Sequence, residues 1–203
     1  MAEIRSVVNQ VLSQLGTSRE ARYYLKQYSE DDLQFAVIKI GGAVLEEQLE
    51  PLASALAFLA NLGLMPIILH GAGPQLDVAL AEASVPTVKR DGLRVTTPEV
   101  MEVARPVIYR ANRRLVSALE DQGVRARGIQ HGVFVCDYLD LDAYGLVGEI
   151  RRVDLEAVRE AVHRGILPVV ACLGESKTGQ VMNINADIAA RELICEVGPH
   201  KII

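Results

Sequence analysis

Short apolar runs alternate with amphipathic stretches from residue 35 onward, and this alternation predicts an α/β fold. The runs FAVIKI, MPIILH and ILPVVAC are almost wholly apolar, which is typical of parallel strands buried on both faces. Helices are predicted over residues 46–62, 96–121 and 186–196, and Pro74 suits the first turn of another helix. We therefore predict one α/β domain over residues 31–203, with an open, mostly parallel sheet between helices.

Turn and capping residues mark the ends of several predicted elements. Residues 91–92, Asp-Gly within RDGLRV, predict a hairpin. Thr96 and Glu99 have the spacing of a capping box at the start of the longest helix, and Pro106 inside that helix predicts a kink or a split. Two or three strands are expected after this helix, before another helix that begins at Asp154.

The first 30 residues differ from the rest and predict a helical arm. Apolar residues recur there at helical spacing until Gly16: Ile4, Val7, Val8, Val11, Leu12 and Leu15. A second short helix is predicted over residues 19–28. Such an arm must bury its apolar stripe, and the pattern leaves open whether it packs on its own domain or on another subunit.

The sequence ends soon after another apolar run begins, KII at residues 201–203. Chain termini usually lie at the protein surface, and globular domains seldom finish three residues into a core strand. We therefore expect the chain to be a fragment of a longer protein, with a short C-terminal edge strand as the alternative.

Composition narrows the class of protein. Hydrophobic residues make up 50% of the 203 residues, enough for a sizeable core, and the net charge of −5 argues against a nucleic-acid-binding surface. No apolar run approaches the roughly 20 residues of a membrane helix, and the N-terminus lacks a secretory signal. Cys136, Cys172 and Cys195 form no metal-binding pattern, and we expect them to be core residues in a reducing compartment. The prediction is a cytoplasmic protein without a metal site, a membrane span or a nucleic-acid partner.

Unusual residues follow three of the predicted strands. They read KIGG at residues 39–42, HGAGP at 70–74 and NINAD at 183–187. The carboxyl ends of parallel strands meet at one edge of a sheet, and glycines there let backbone N–H groups approach an anion closely. Lys39 lies in an apolar strand and needs a partner, for which Asp187 in the first turn of a helix is suited. These motifs predict a cradle of amide donors for phosphoryl oxygens.

Three well-known motifs are absent from the sequence. There is no G-x-x-x-x-G-K-[ST], and HGAGP lacks the third glycine of the dinucleotide-binding fingerprint. The serine-hydrolase elbow G-x-S-x-G is absent as well. A P-loop, a dinucleotide site and a serine hydrolase are therefore disfavoured.

Four motifs occur in an order that resembles the N-acetylglutamate kinases. They are K-x-G-G, H-G-[GA]-G-P, D-G-L-R-V-T and N-x-N-A-D, and the match spans residues 35–203. Six segments resemble the kinase domain of the bifunctional N-acetylglutamate synthase/kinases, whose acetyltransferase part has no counterpart here. These segments are YLKQYS, HGAGPQLD, DGLRVTTPE, YGLVGE, LGE and MNINAD. The resemblance implies an amino-acid-kinase fold, of which this chain forms the N-terminal, substrate-binding half.

The resemblance also implies a reaction, in which the γ-phosphoryl group of MgATP passes to the side-chain carboxylate of N-acetyl-L-glutamate in arginine biosynthesis. Lys39 matches the family's lysine that stabilises charge on the transferring group, and Asp187 matches the aspartate that organises the catalytic lysines. Arg94 matches the arginine that holds the substrate's α-carboxylate, and Asn183 the asparagine at the acetamido end. The other implied substrate-binding positions are Gly41, Gly42, Gly71, Ala72, Gly73 and Asn185.

Two departures from the family's pattern bear on activity. Ala72 stands where a glycine is commoner, so its φ must stay negative or bear strain. The family's ATP-binding half and its second catalytic lysine would follow Ile203. We therefore expect residues 1–203 alone to hold the acyl substrate without turning over ATP.

The N-terminal arm also matches a feature of the family. Arginine-inhibited members carry a similar helix that joins subunits and closes an arginine site, and Tyr24 in YLKQY matches the aromatic residue used there. The resemblance therefore implies a homo-oligomer formed through the N-terminal helix, with L-arginine as an inhibitor.

Two alternatives stay open within this fold. One is a non-catalytic domain that senses arginine and assists oligomerisation in an N-acetylglutamate synthase. The presence of Lys39, Gly41, Gly42 and Asp187 favours the kinase, because a purely regulatory copy has no catalytic reason to keep them. The other alternative is a different amino acid kinase, such as a carbamate or aspartate kinase. Arg94 suits an α-carboxylate and argues against carbamate.

Overall fold

Residues 36–61 and 63–203 are described by the structure, which is a computed structural model. The predicted N-terminal arm of residues 1–30, with Tyr24, lies outside the described residues. The domain boundary at residue 31 therefore stays a prediction.

The described residues form eleven strands and seven helices. The strands are β1 (Ala36–Ile40), β2 (Ile67–His70), β3 (Lys89–Arg90), β4 (Leu93–Arg94), β5 (Ala126–Ile129), β6 (Phe134–Tyr138), β7 (Gly148–Val153), β8 (Leu167–Ala171), β9 (Leu173–Glu175), β10 (Val181–Asn183) and β11 (Lys201–Ile202). The helices are α1 (Gly42–Glu47), α2 (Leu49–Asn61), α3 (Gly73–Glu82), α4 (Pro98–Asp121), α5 (Leu141–Tyr144), α6 (Glu156–His163) and α7 (Ala186–Val197).

The main sheet has five strands in the order β11-β1-β2-β8-β5, and every neighbouring pair is parallel. The central strands β2 and β8 are buried at every residue, as their apolar runs predict. Helices cover the sheet: α4 packs on β5 and β8, α6 on β8, and α7 on β1 and β2. The predicted α/β architecture with a mostly parallel sheet is therefore confirmed. The final apolar run forms β11, an exposed edge strand beside β1.

The described residues also form a second sheet and a hairpin. The second sheet has the order β10-β9-β6-β7 and is antiparallel except between β6 and β9. The predicted hairpin pairs β3 with β4 around Asp91 and Gly92, whose φ values of 51° and 78° suit a tight two-residue turn. The hairpin is confirmed.

Helix α4 is continuous through Pro106, so the predicted split is wrong. Proline removes the N–H that would bond to the carbonyl four residues earlier, which belongs to Glu102. Both residues are exposed, so water can satisfy that carbonyl and the helix continues. The buried face of α4 includes the apolar residues Val100, Ala111, Leu115 and Ala118.

The cap of α4 is Thr97, not Thr96. The Thr97 hydroxyl accepts from the Val100 N–H at 3.3 Å. Thr96 is fully buried, and its backbone forms a bridge with Gly145 instead. The predicted capping box is therefore wrong by one residue. Thr96 is bridged to Gly145, and the next threonine, Thr97, caps the helix instead.

Three smaller predictions also differ from the structure. The stretch 46–62 is not one helix, since α1 and α2 are separated at Gln48. The helix expected from Asp154 begins at Glu156, because the Asp154 carboxylate accepts the Glu156 N–H at 3.1 Å ahead of the helix. Cys195 is exposed on α7, whereas the other two cysteines are buried as predicted.

Candidate active site

Two glycine turns meet at the carboxyl edge of the main sheet, one after β1 and one after β2. A Cβ added to Gly42 would stand 3.1 Å from the Gly73 nitrogen and 2.8 Å from the Pro74 Cδ, so only glycine lets the turns come this close. The Gln75 side chain joins them by donating to the Gly42 carbonyl oxygen at 2.6 Å. The two turns therefore lie side by side, as expected for turns after neighbouring parallel strands.

Several backbone N–H groups of these turns have no acceptor within the described part of the chain. They belong to Gly41, Gly42, Ala72 and Gly73. Ala72 has the negative φ that its side chain requires, −145°. The Gly71 N–H is not free, because it donates to the Ile40 carbonyl oxygen at 3.3 Å. Gly71 therefore contributes its backbone shape to the turn but no amide for a ligand.

The NINAD motif brings the start of α7 to the same edge. A Cβ on Gly71 would stand 3.4 Å from the Ala186 Cβ, so the helix start lies against the second glycine turn. Asn185 caps the helix, with its side-chain oxygen accepting from the N–H groups of Asp187 at 2.8 Å and Ile188 at 3.1 Å. Asn185 thus has a structural task, and its substrate-binding role stays a prediction.

Lys39 and Asp187 form an ion pair at this edge, with 2.9 Å between Lys39 Nζ and Asp187 Oδ1. The lysine side chain is 36% exposed and the aspartate 80%. An ion pair this exposed adds about 1 kcal/mol or less to stability. Its main consequence is therefore to hold the ammonium in place beside the glycine turns, and the catalytic role of both residues stays a prediction.

A buried thiol adjoins the ion pair. Burial raises the pKa of Cys172 to about 12, while the charges of Lys39 and Asp187 act on it in opposite directions. The thiol therefore stays protonated near neutral pH and is a poor nucleophile. Cys172 is therefore suited to packing as a small apolar residue and not to nucleophilic chemistry.

The guanidinium of Arg94 is buried and held by two side chains. It donates to Thr87 Oγ1 at 2.6 Å and to the Asp77 carboxylate, and its side chain is 8% exposed. Lys89 lies on the other oxygen of Asp77 at 3.8 Å. Because arginine has five N–H donors, Arg94 keeps donors for a ligand while these contacts fix its orientation.

Thr96 links two of the predicted substrate-binding residues. Its hydroxyl donates to the Arg94 carbonyl oxygen at 2.9 Å and accepts from Asn183 Nδ2 at 3.1 Å. The backbone of Leu146 also links Thr96 to Asn183, because its N–H donates to the Thr96 carbonyl oxygen at 2.6 Å and its carbonyl oxygen accepts from the Asn183 N–H at 2.9 Å. Arg94 and Asn183 are therefore joined through one buried threonine.

His70, at the end of β2, is a fully buried titratable residue. Its imidazole lies 3.0 Å from Asn112 Nδ2 on α4 and 3.3 Å from the Gly71 carbonyl oxygen. Burial lowers the pKa of His70 from its ordinary value of 6.5 to about 4, and the Gly71 carbonyl opposes this in part. The imidazole is therefore neutral at physiological pH.

This pKa predicts a loss of stability in mild acid. Between pH 6.5 and 4 the unfolded chain binds a proton at His70 that the folded chain does not, so the free energy of unfolding falls as pH falls, by about 3 kcal/mol in total. Urea unfolding of the wild type and of His70→Gln at pH 7.0, 5.5 and 4.5 measures this term as a difference, in which the other titrating groups cancel. An equal pH dependence in both proteins would contradict it.

Sequence reasoning missed the residues that orient the site. Asp77 lies in HGAGPQLD, and the basic hairpin that carries Arg94 was a signal that an acid would face it. Asn112 interrupts the apolar stripe of α4, and a buried amide needs partners. For Thr96 the signal was ambiguous, because two threonines precede Pro98.

The sequence pattern that defines the amino acid kinase family matches residues 34–203. The chain belongs to the amino acid kinase family. Its fold is confirmed by solved structures, among them an N-acetylglutamate synthase from Neisseria gonorrhoeae complexed with coenzyme A and N-acetyl-glutamate. That protein matches with a TM-score of 0.76 and 26% identity, over 91% of this chain and 43% of that one.

Two relatives are identical to the chain at nearly half of the aligned residues. The chain is 47% identical over 190 residues to an acetylglutamate kinase from Xanthomonas campestris pv. campestris, covering 93% of this chain and 45% of the relative. It is 48% identical over 200 residues to "Protein ARG5,6, mitochondrial" from Candida albicans, covering 98% of this chain and 23% of the relative. The chain thus spans less than half the length of either relative.

Two kinds of feature are absent from the described residues. None of their helices is both long and apolar enough to cross a membrane. No three side chains of His, Cys, Asp or Glu cluster as metal ligands in residues 36–61 and 63–203.

Proposed function

We propose that the chain carries the acyl-substrate half of a kinase that transfers the γ-phosphoryl group of MgATP to the side-chain carboxylate of N-acetyl-L-glutamate, a step of arginine biosynthesis. The observation that carries this proposal is the Lys39–Asp187 ion pair, beside amide donors at the same sheet edge that have no acceptor among the described residues. Phosphoryl transfer leaves a protein mainly with positioning and charge stabilisation, which a fixed cation and oriented N–H groups provide. The name of the Xanthomonas relative, acetylglutamate kinase, supports the choice of substrate.

The hairpin side of the site suits the amino-acid end of the substrate. Arg94 is oriented by Thr87 and Asp77 and keeps donors for a bidentate contact with the α-carboxylate. Asn183, joined to Arg94 through Thr96, is suited to the acetamido group. These assignments make Thr96 the residue that sets the spacing between the two contacts.

The glycine turns suit the reacting end. Their N–H groups, which find no acceptor in the described part of the chain, and the Lys39 ammonium fit the phosphoryl group that MgATP supplies, and Asp187 keeps that ammonium in position. In this scheme Lys39 offsets the charge that builds up between donor and acceptor oxygens. We assign no adenine or Mg²⁺ site to the described residues and expect both ligands to contact other residues of the full-length protein.

A regulatory role is the second candidate, supported by the similarity to the N-acetylglutamate synthase of Neisseria gonorrhoeae. In this alternative the domain binds L-arginine and joins subunits without phosphorylating a substrate. The N-terminal arm, with Tyr24, lies outside the described residues. It is the segment expected to bind arginine and join subunits. The ion pair favours the kinase, because an exposed pair adds little stability to a domain that only assembles. A cytoplasmic location stays a prediction.

An ADP-release assay tests the proposed function. The full-length protein with MgATP is expected to release ADP when N-acetyl-L-glutamate is added. N-acetyl-L-glutamine is the matched control, because it keeps the acetamido and α-carboxylate groups but lacks the acceptor carboxylate. An arginine-dependent rise in melting temperature without any ADP release would favour the regulatory role and contradict the kinase.

Arg94→Lys is expected to weaken binding of N-acetyl-L-glutamate about 10- to 100-fold, the equivalent of one lost charged hydrogen bond. A lysine ammonium cannot contact Thr87 and Asp77 and still offer a planar pair of donors. Isothermal titration calorimetry on the 203-residue chain measures the affinity without requiring turnover. Arg151→Lys, at an exposed arginine of strand β7, is the control, and equal affinities in wild type and Arg94→Lys would refute the assignment.

A further inference from the structure

Among the described residues, a single hydrogen bond holds the orientation of the peptide group between Gly71 and Ala72. The preceding peptide group donates to β1 at 3.3 Å and accepts from the Cys172 N–H at 3.1 Å. The following one accepts from the Leu76 N–H at 2.9 Å. Within residues 36–61 and 63–203, the group between them has no partner for the Ala72 N–H, and its Gly71 carbonyl is bound only by the His70 imidazole.

Asn112 decides which nitrogen of His70 carries the proton. Its Nδ2 donates to the Val169 carbonyl oxygen at 2.9 Å, and a carbonyl can only accept, so the orientation of the carboxamide is fixed. The second N–H of this amide is directed at His70 Nε2, with 3.0 Å between the two nitrogens. Nε2 must therefore accept, which leaves the proton on Nδ1, the nitrogen that faces the Gly71 carbonyl.

Two further features preserve this arrangement. Gly128 has no Cβ, and the Asn112 carboxamide occupies the space that a Cβ there would need. Burial keeps His70 neutral near pH 7, so Nε2 stays free to accept. The network therefore has one stable proton arrangement in the folded protein.

We propose that His70 is a positioning residue, whose Nδ1–H fixes the Gly71 carbonyl inward and so turns the Ala72 N–H outward, towards the transferring group. In a trans peptide the carbonyl and the N–H point in opposite directions, and the described residues contain no cis peptide bond. Because the identity of the transferring group rests on the proposed function, the experiment includes a measurement that needs no substrate. His70 itself touches no reacting atom and acts through the peptide group.

Two substitutions separate this role from a purely structural one. In His70→Asn the amide nitrogen stands where Nδ1 stands, so the donor to Gly71 is kept and the acceptor for Asn112 is lost. In His70→Gln the amide oxygen can replace Nε2, so the Asn112 contact is kept and the donor to Gly71 is lost. We expect His70→Gln to keep a melting temperature close to that of the wild type, and His70→Asn to melt lower, because it leaves the Asn112 N–H without an acceptor.

In the full-length protein we expect the variant with the higher melting temperature to have the lower kcat. His70→Gln should lose about tenfold or more in kcat with little change in KM for N-acetyl-L-glutamate, since one transition-state donor is misplaced. His70→Asn should stay within about threefold of wild-type kcat below its melting temperature. If kcat instead falls in step with melting temperature in the two variants, His70 has only a structural role and the proposal is wrong.

Nuclear magnetic resonance of the 203-residue chain tests the geometry without substrate. The ring-nitrogen spectrum of His70 should show the proton on Nδ1, and the Ala72 amide resonance should move in His70→Gln but not in His70→Asn. A proton on Nε2, or an Ala72 resonance that moves equally in both variants, overturns the proposal. If the full-length protein releases no ADP with N-acetyl-L-glutamate, the proposed function fails while these two spectra still decide the position of the peptide group.

Discussion

Lys39→Met is expected to lower phosphoryl transfer by the full-length protein about 10³-fold, the upper range for removing one group that stabilises a developing charge. Methionine keeps the length and apolar stem of the side chain, so β1 stays packed, but the ammonium beside the glycine turns is gone. The exposed pair with Asp187 adds about 1 kcal/mol or less to stability, so the fold should tolerate the change. Initial rates of ADP release at saturating N-acetyl-L-glutamate measure the effect.

Lys177→Met is the matched control, because it makes the same chemical change in the exposed turn between β9 and β10. It should retain the wild-type rate. Circular dichroism melting of both variants separates catalysis from folding, and we expect both to melt near the wild type. A Lys39→Met protein that keeps more than a tenth of the wild-type rate would rule out the proposed role of the ammonium.

The parts of the site that the sequence predicts are those that topology brings together. Parallel strands align their carboxyl ends, so the turns at residues 41–42 and 71–73 had to be neighbours once both runs were recognised as buried strands. The Lys39–Asp187 pair follows from a similar argument. A lysine in an apolar strand needs a counter-charge, and Asp187 in the first turn of α7 lies at the same edge.

The parts that the sequence does not predict are set by contacts between side chains on different elements. Periodicity places Asp77 on a helix and Arg94 on a hairpin but does not bring the two together. Thr96 and Thr97 are equivalent as capping residues in the sequence, and only the bridge to Gly145 distinguishes them. Asn112 lies among apolar residues of α4, and its role becomes visible only when β2 and β8 supply its partners.

Gly145→Ala is expected to destabilise the chain by about 4 kcal/mol, combining backbone strain with a contact that cannot relax. Gly145 has φ 67° and ψ −132°, a conformation that side chains with a Cβ rarely adopt. The added Cβ would stand 3.0 Å from the carbonyl carbon of Thr96 and closer still to its oxygen, and both belong to the backbone. Urea unfolding followed by circular dichroism at pH 7 measures the loss.

Gly198→Ala separates the two causes of this destabilisation. Gly198 also has a positive φ, 61°, but a Cβ there meets nothing within 4 Å, so its replacement should cost only about 1 kcal/mol of strain. The additional loss of unfolding free energy in Gly145→Ala then measures the steric clash with Thr96, the residue that joins Arg94 to Asn183. Binding of N-acetyl-L-glutamate should weaken in Gly145→Ala under conditions where it remains folded, and stay unchanged in Gly198→Ala. Equal destabilisation by the two substitutions would mean that the backbone at Thr96 can move away from the added Cβ at little cost. The spacing of the two substrate contacts would then not depend on Gly145.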